Sequence, residues 1–284
     1  MVKYRLFFGT LMTALFAGLA ILDGWLDGSL TPLIDDDKSA QGTILAILVV
    51  VLIILATLEL SRLTAAKNLR LFAGVSIVAS SLIATTWYWL QIVSISVQLL
   101  FFLFAFSLLA LLLYQYLFYG ISSVLANCGV SCFSIVYLGL LSGFVLAIRI
   151  DFGLWPLLMF VFVVKSCDIG AYTGGSLFGK HKFSPRISPG KTWEGMVAGT
   201  AAAVVVALAF AGIFDIMKWW WAIVFGCCFA FIGQMGDLVE SMIKRDAQRK
   251  DSANKVPGFG GILDIIDSPL VAAPFGYLFF LLFT

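Results

Sequence analysis

The chain has 284 residues, 61% of them hydrophobic and only 12% charged, with a mean hydropathy of +1.03. Soluble domains hold about 45–50% apolar residues, so this composition excludes an ordinary soluble globular protein and specifies a polytopic membrane protein. The formal net charge of +2 says little by itself, its distribution along the chain says more, and no nucleic-acid partner is expected.

Nine apolar runs of about 17 residues or more are long enough to cross a bilayer as helices. They cover residues 6–22, 43–60, 71–90, 93–117, 132–148, 154–176, 195–214, 219–236 and 268–283. The expected fold is therefore all-α, a polytopic integral membrane protein of about nine transmembrane helices. The first run has a basic start but no small-x-small cleavage site in a polar context, so it reads as an uncleaved helix rather than a secretory signal. With the N-terminus in the cytoplasm, fourteen of the Lys and Arg residues fall on that side; only Lys38, Arg149 and Lys218 fall outside, and Lys165 lies within a span. That asymmetry sets the orientation and puts the C-terminus outside. The loop carrying Asp23, Asp27, Asp35, Asp36 and Asp37 then faces outward.

Polarity divides the chain. Residues 1–130 read as scaffold spans with almost no buried charge, Glu59 at a helix end being the exception. Residues 131–284 hold the polar features and read as the catalytic region of what is still one membrane domain. The five cysteines, Cys128, Cys132, Cys167, Cys227 and Cys228, lie in or beside apolar runs and read as small buried hydrophobes, not as disulfides or a zinc site.

Lys165 and Asp168 sit inside a span, with Tyr172 one turn on. An ionised group at the bilayer centre costs about 2.5–3.5 kcal/mol on insertion scales, so both must face protein or water. One reading is an i, i+3 ion pair; the other has Lys165 reaching a lipid phosphate while Asp168 orients it. Gly170, Gly174, Gly175 and Gly179 follow at spacings that allow close helix packing. The next segment, residues 179–195, is a basic structured loop with prolines and glycines. Within it Ser188-Pro189-Gly190-Lys191-Thr192 offers amides, hydroxyls and an ammonium to phosphate. It lacks the spacing and the preceding strand of a Walker P-loop. His181, the only histidine, excludes a His-rich metal site and reads as a loop residue.

The densest charge follows. On a helix, Asp237, Glu240, Ser241 and Lys244 fall at i, i+3, i+4 and i+7 and share one face. Asp264 and Asp267 form a second i, i+3 pair after a Pro257-Gly258-Phe259-Gly260-Gly261 turn. Two carboxylates 4 Å apart repel by roughly 4 kcal/mol at an effective dielectric of 20, a repulsion that a hard divalent cation such as Mg2+ converts into binding. The intervening Lys244, Arg245, Arg249, Lys250 and Lys255 suit polyphosphate. Together these features point to phosphoryl or nucleotidyl transfer; the plainer reading is a charged loop whose acids and bases pair with one another.

Three ordered motifs carry a resemblance: Asp168-x-x-Ala171-Tyr172-x-x-Gly175, then Ile187-Ser188-Pro189-Gly190-Lys191-Thr192-x-Glu194-Gly195, then Gly236-Asp237-x-x-Glu240-Ser241-x-x-Lys244-Arg245. Lys250-Asp251, Pro257-Gly258-x-Gly260-Gly261 and Leu263-Asp264-x-x-Asp267-Ser268 extend it. Over roughly residues 165–270 the chain resembles the phosphatidate cytidylyltransferase, or CDP-diacylglycerol synthase, family. The resemblance implies CMP transfer from CTP to phosphatidic acid at a membrane, with Mg2+ and, as a further option, a second cation such as K+. It implies Asp237, Asp264 and Asp267 as metal ligands and Asp237, Asp264 and Lys244 as the groups at the chemistry. Ser188, Lys191, Thr192, Lys244, Arg245 and Lys165 would contact substrate phosphates, with Asp168, Glu194, Glu240 and Ser241 supporting them. Phe259 and Ile265 stand where the family signature has His and Arg.

The expected partners are CTP, phosphatidic acid and membrane lipids, with a homodimer open and a bacterial inner membrane, active site on the cytoplasmic side, as the location. Tyr172, Trp193 and Phe259 are candidates to stack on the base. Two alternatives stay open. A transporter should show matched halves with interrupted spans, whereas the polar features here occupy the C-terminal half. A CTP-dependent transferase or kinase acting on another lipid phosphate or a polyprenol shares the nucleotide chemistry, and substrate assays separate it.

Overall fold

A bilayer leaves backbone N–H and C=O groups no water to bond, so helices that satisfy these groups internally make up nearly the whole chain. The computed structural model describes residues 2–30, 40–93, 98–249, 252 and 260–284. In order these form α1 (Val2–Leu26), α2 (Thr43–Ala65), α3 (Ala73–Ala84), α4 (Thr86–Ile92), α5 (Leu99–Tyr119) and α6 (Val124–Ser134). A π-helical stretch, Ile135–Leu140, joins α6 to α7 (Leu141–Phe152); then come α8 (Leu154–Phe178), β1 (Lys182–Ser184), β2 (Ser188–Thr192), α9 (Trp193–Phe214), α10 (Trp219–Asp246) and α11 (Leu263–Phe283).

The protein is all-α in its membrane architecture, and each predicted apolar run falls on a helix. Among the described residues seven helices are long and apolar enough to cross a membrane, with Val124–Phe152 counted as one; Leu11–Leu26 is a shorter apolar helix. The run predicted over 71–90 is broken: α3 and α4 meet at 53°. The cause is local. Thr85 Oγ1 donates to Ser81 O at 2.7 Å and Thr86 Oγ1 to Leu82 O at 3.0 Å, and such back-bonding to the carbonyl four residues earlier bends helices.

Residues 179–195 are also more regular than a loop. β1 and β2 pair antiparallel, with Lys182 opposite Thr192 and Ser184 opposite Ser188. The hairpin is pinned at its base. Phe183 packs edge-on against Trp193 at 4.7 Å, and Glu194 accepts from Lys180 N at 3.1 Å and from His181 Nδ1 at 2.6 Å. Thr192 Oγ1 accepts from Gly195 N at 3.1 Å and so caps α9.

The glycines of α8 do what their spacing predicts. A Cβ on Gly170 would stand 2.9 Å from Ala202 Cβ, and one on Gly199 would stand 2.7 Å from Cys167 O, so α8 and α9 approach closely only because neither carries a side chain there. The principal core joins Leu45, Val49, Ile53 and Leu60 of α2 to Phe160 of α8, Phe225 and Phe229 of α10 and Phe280 of α11. The scaffold helix α2 is thus locked to the helices that carry the acidic residues.

Two expectations change. Asp23 and Asp27 are not free loop charges: buried Arg149 pairs with Asp23 Oδ2 at 3.2 Å and Asp27 Oδ2 at 2.6 Å, because a fully desolvated guanidinium needs counter-charges. All five cysteines are free, as expected, but Cys227 and Cys228 are exposed on the outer face of an apolar helix. Asp35, Asp36, Asp37 and Lys38 lie outside the described residues.

Gly170→Leu is expected to destabilise the detergent-solubilised protein by about 1–3 kcal/mol through overpacking. Gly212→Ala, whose Cβ would meet nothing within 4 Å, should leave the thermal midpoint at or above that of wild type. Thermal unfolding of the two variants side by side checks this.

Candidate active site

One cavity of about 430 Å³ collects most of the polar residues. Its walls are Lys165, Asp168 and Tyr172 of α8; Phe183, Ser188, Lys191 and Thr192 of the hairpin; Gln234, Asp237 and Lys244 of α10; and Asp264, Ile265, Asp267 and Ser268 of α11. Met12 of α1 and Met196 of α9 add apolar surface.

Two linked sets of charges hold the walls together. In the first, Lys165 Nζ lies 3.4 Å from Asp168 Oδ2, so the i, i+3 ion pair is present. Gln234 Nε2 donates to Asp168 Oδ1 at 3.1 Å. Lys191 Nζ reaches across from the hairpin to Gln234 O at 3.0 Å and Asp237 Oδ2 at 2.7 Å. In the second, Lys244 pairs with both Glu240 and Asp264. Asp264 Oδ2 also accepts from Gly261 N at 2.8 Å, Ser252 N at 3.2 Å and Ser252 Oγ at 2.6 Å.

Between these sets stand three carboxylates. Ligand oxygens of Asp237, Glu240 and Asp267 all lie within 4.8 Å of one another. Glu240 is fully buried and Asp267 is 3% exposed. The trio therefore shares Asp237 and Asp267 with the predicted metal set, but Glu240 occupies the third place and Asp264 does not. The reason is the direction in which α11 enters: Asp264, in its first turn, meets Lys244 and the loop donors, while Asp267, one turn deeper, meets α10.

The trio fits a divalent cation. Its donors are all hard oxygens, and Glu240 Oε1 makes no hydrogen bond among the described residues although it is buried. The ammonium nearest Glu240 is shared with Asp264. Each close pair of charges would otherwise cost about 4 kcal/mol at 4 Å and an effective dielectric of 20, and carboxylate oxygens are what Mg2+ and its relatives select.

Other predicted residues divide by position. Ser188, Lys191, Thr192, Lys244 and Lys165 line the cavity, although Thr192 is 5% exposed and its hydroxyl is engaged at α9. Arg245 does not line it: its Nε donates to Ile187 O at 3.3 Å and braces the hairpin from behind. Glu194 clamps the hairpin base, and Ser241 is buried on α10. Of the proposed base-stacking aromatics, Tyr172 lines the cavity and Trp193 packs beside it on Phe183. Phe259 lies outside the described residues, as do Lys250, Asp251, Lys255, Pro257 and Gly258.

Sequence reasoning passed over two participants, Gln234 and Ser252, and named a third, Glu59, without giving it a role at the site. Gln234 sits three residues before Asp237 on the same helical face, a signal that was available. Ser252 had no such signal, since its partner is set by loop geometry. Glu59 had one: it is the only acidic residue between Asp37 and Asp151.

The sequence matches the cytidylyltransferase family over residues 39–283. It is similar to the phosphatidate cytidylyltransferase of Haemophilus influenzae, 42% identical over 134 residues that cover 44% of this chain and 46% of that protein. It is also similar to that of Brucella suis, 41% identical over 128 residues covering 45% and 47%, and that of Bacillus subtilis, 39% over 152 residues covering 52% and 56%. The alignments thus span about half the length of these relatives.

If the trio is the cation site, Asp267→Asn should weaken Mn2+ binding by about ten-fold or more, the scale on which even indirect changes act at metal sites. Asp264→Asn, which leaves all three carboxylates in place, should weaken it less. Titration of Mn2+ into the purified protein, followed by electron paramagnetic resonance, ranks the two.

Proposed function

Because the chain belongs to the cytidylyltransferase family, we propose that it transfers CMP from CTP to phosphatidic acid, giving CDP-diacylglycerol and pyrophosphate. The observation that carries this reading is the carboxylate trio of Asp237, Glu240 and Asp267, of which Asp237 and Asp267 line one cavity with Lys165, Lys191 and Lys244. Acids to hold a divalent cation and ammonium groups to hold phosphates are what transfer between two polyanions requires.

Asp237, Glu240 and Asp267 would hold Mg2+, with a second cation such as K+ an option at the same carboxylates. When bound, Mg2+ supplies neutralisation of phosphate charge. A phosphatidate oxygen attacks the α-phosphorus of CTP; that P–O bond forms as the bond from the α-phosphorus to the α,β-bridging oxygen breaks, and pyrophosphate leaves. A phosphate monoester has its second pKa near 6, so the nucleophile is largely ionised already and no strong general base is needed. Lys191 and Lys244 are the groups placed to exchange a carboxylate partner for a phosphate oxygen. Lys165 and Asp168 line the same cavity on α8, where Lys165 can meet the lipid phosphate. The apolar margin of Met12 and Met196 admits acyl chains from the side. The excess of Lys and Arg on the loops next to the cavity supports a cytoplasmic active site, and the bacterial relatives support an inner membrane.

Purified protein with labelled CTP and phosphatidic acid should form CDP-diacylglycerol in Mg2+ and none in excess chelator. Lys191→Met should lower kcat/KM by about 10–100-fold, the loss of one charged hydrogen bond of roughly 1.5–3 kcal/mol. A folded wild type that forms no lipid-linked CMP from phosphatidic acid would sink the reading.

A further inference from the structure

We infer that Glu59, in the scaffold half of the chain, is a positioning residue for the cation-binding carboxylates: it fixes the first turn of α11 and thereby sets where Asp264 and Asp267 stand. This inference rests on the cation-binding role proposed for the trio.

Glu59 is fully buried on α2. Its Oε2 accepts from Leu263 N, the first residue of α11 and 204 positions away, at 3.0 Å, and from Ser252 Oγ at 3.3 Å. The residue at the N-cap of α11, Ile262, offers no side-chain acceptor, so Glu59 supplies from another helix what a capping side chain supplies from within. A carboxylate at this end also suits the helix dipole. Ser252 Oγ stands between two carboxylates, Glu59 and Asp264, at 3.3 and 2.6 Å. The backbone passes so close that a Cβ on Gly261 would collide with both Ser252 Oγ and Glu59 Oε2.

Rigidity completes the arrangement. Ala56, Leu60 and Leu63, the neighbours of Glu59 on α2, are buried in the principal core, as is Leu263. The carboxylate therefore cannot drift without moving packed side chains. Its position is transmitted to Asp264, the next residue of α11, and along about one helical turn to Asp267, a member of the trio.

The test is the affinity of the full-length, detergent-purified protein for Mn2+, read by electron paramagnetic resonance, in wild type and three variants. Glu59→Ala removes the acceptor and should raise the Kd by about ten-fold or more, whereas Glu59→Gln keeps an acceptor oxygen for Leu263 N and should stay within about three-fold. Glu59→Asp, one methylene shorter, should fall between the two and carries the test if the alanine variant does not fold. A role in stability alone would lower thermal midpoints without changing Kd, and an unchanged Kd in the alanine or aspartate variant overturns the inference. CMP transfer measured on the same samples separates the two claims. Wild type that binds Mn2+ and shows the Glu59 effect but transfers no CMP removes the proposed reaction and leaves the positioning role. Active wild type with an unchanged Kd in the variants removes the positioning role alone, and wild type that binds no Mn2+ removes it as well.

Discussion

Carboxylates held near one another and away from water need a counter-charge, and that requirement organises this protein. Asp237, Glu240 and Asp267 converge within 4.8 Å, with Glu240 and Asp267 almost wholly withdrawn from solvent. Lys191 and Lys244 offset part of the repulsion, each tied to a different helix or strand. Both lysines also line the cavity, so in the proposed reaction a polyphosphate entering it would meet them. The residues that offset the carboxylate charge are thus the ones the proposed reaction assigns to the nucleotide.

The scaffold exists to make that concentration of charge tolerable. Glycine contacts let α8 and α9 close on each other, which brings Lys165 and Asp168 beside the hairpin that carries Lys191. Phenylalanines of α8, α10 and α11 belong to the same continuous core as the apolar residues of α2, which fixes the relative height of the two acidic helices. A separate desolvated set, Arg149 with Asp23 and Asp27, joins α1 to α7 away from the cavity. Pairing of this kind is costly to break from one side, so it holds α1 near the cavity to which Met12 contributes.

Much of this was legible in the sequence, and the exceptions have physical reasons. Spans are readable because a bilayer demands long apolar helices, and the shared face of Asp237, Glu240 and Lys244 follows from helical geometry alone. The choice of Glu240 over Asp264 as third member of the trio depends on how α11 meets α10, and i, i+3 spacing does not encode that meeting. The hairpin at residues 182–192 was hidden by Pro185 and Pro189, which read as loop, while its strands are held by Glu194 and the Phe183–Trp193 contact. Glu59 stood out as the exception in a half of the chain with almost no buried charge, but nothing gave it a partner. Its partner lies 204 residues away, and no local pattern reports a contact of that length.

The most direct measurement is anomalous scattering at the manganese edge from crystals grown with Mn2+ and a non-hydrolysable CTP analogue. A peak bounded by Asp237, Glu240 and Asp267, with analogue phosphates against Lys191 and Lys244, is the predicted result. A saturated site lying instead against Asp264, or no manganese at the trio under conditions that support nucleotide binding, would contradict the assignment of these three carboxylates as the centre on which the protein is built.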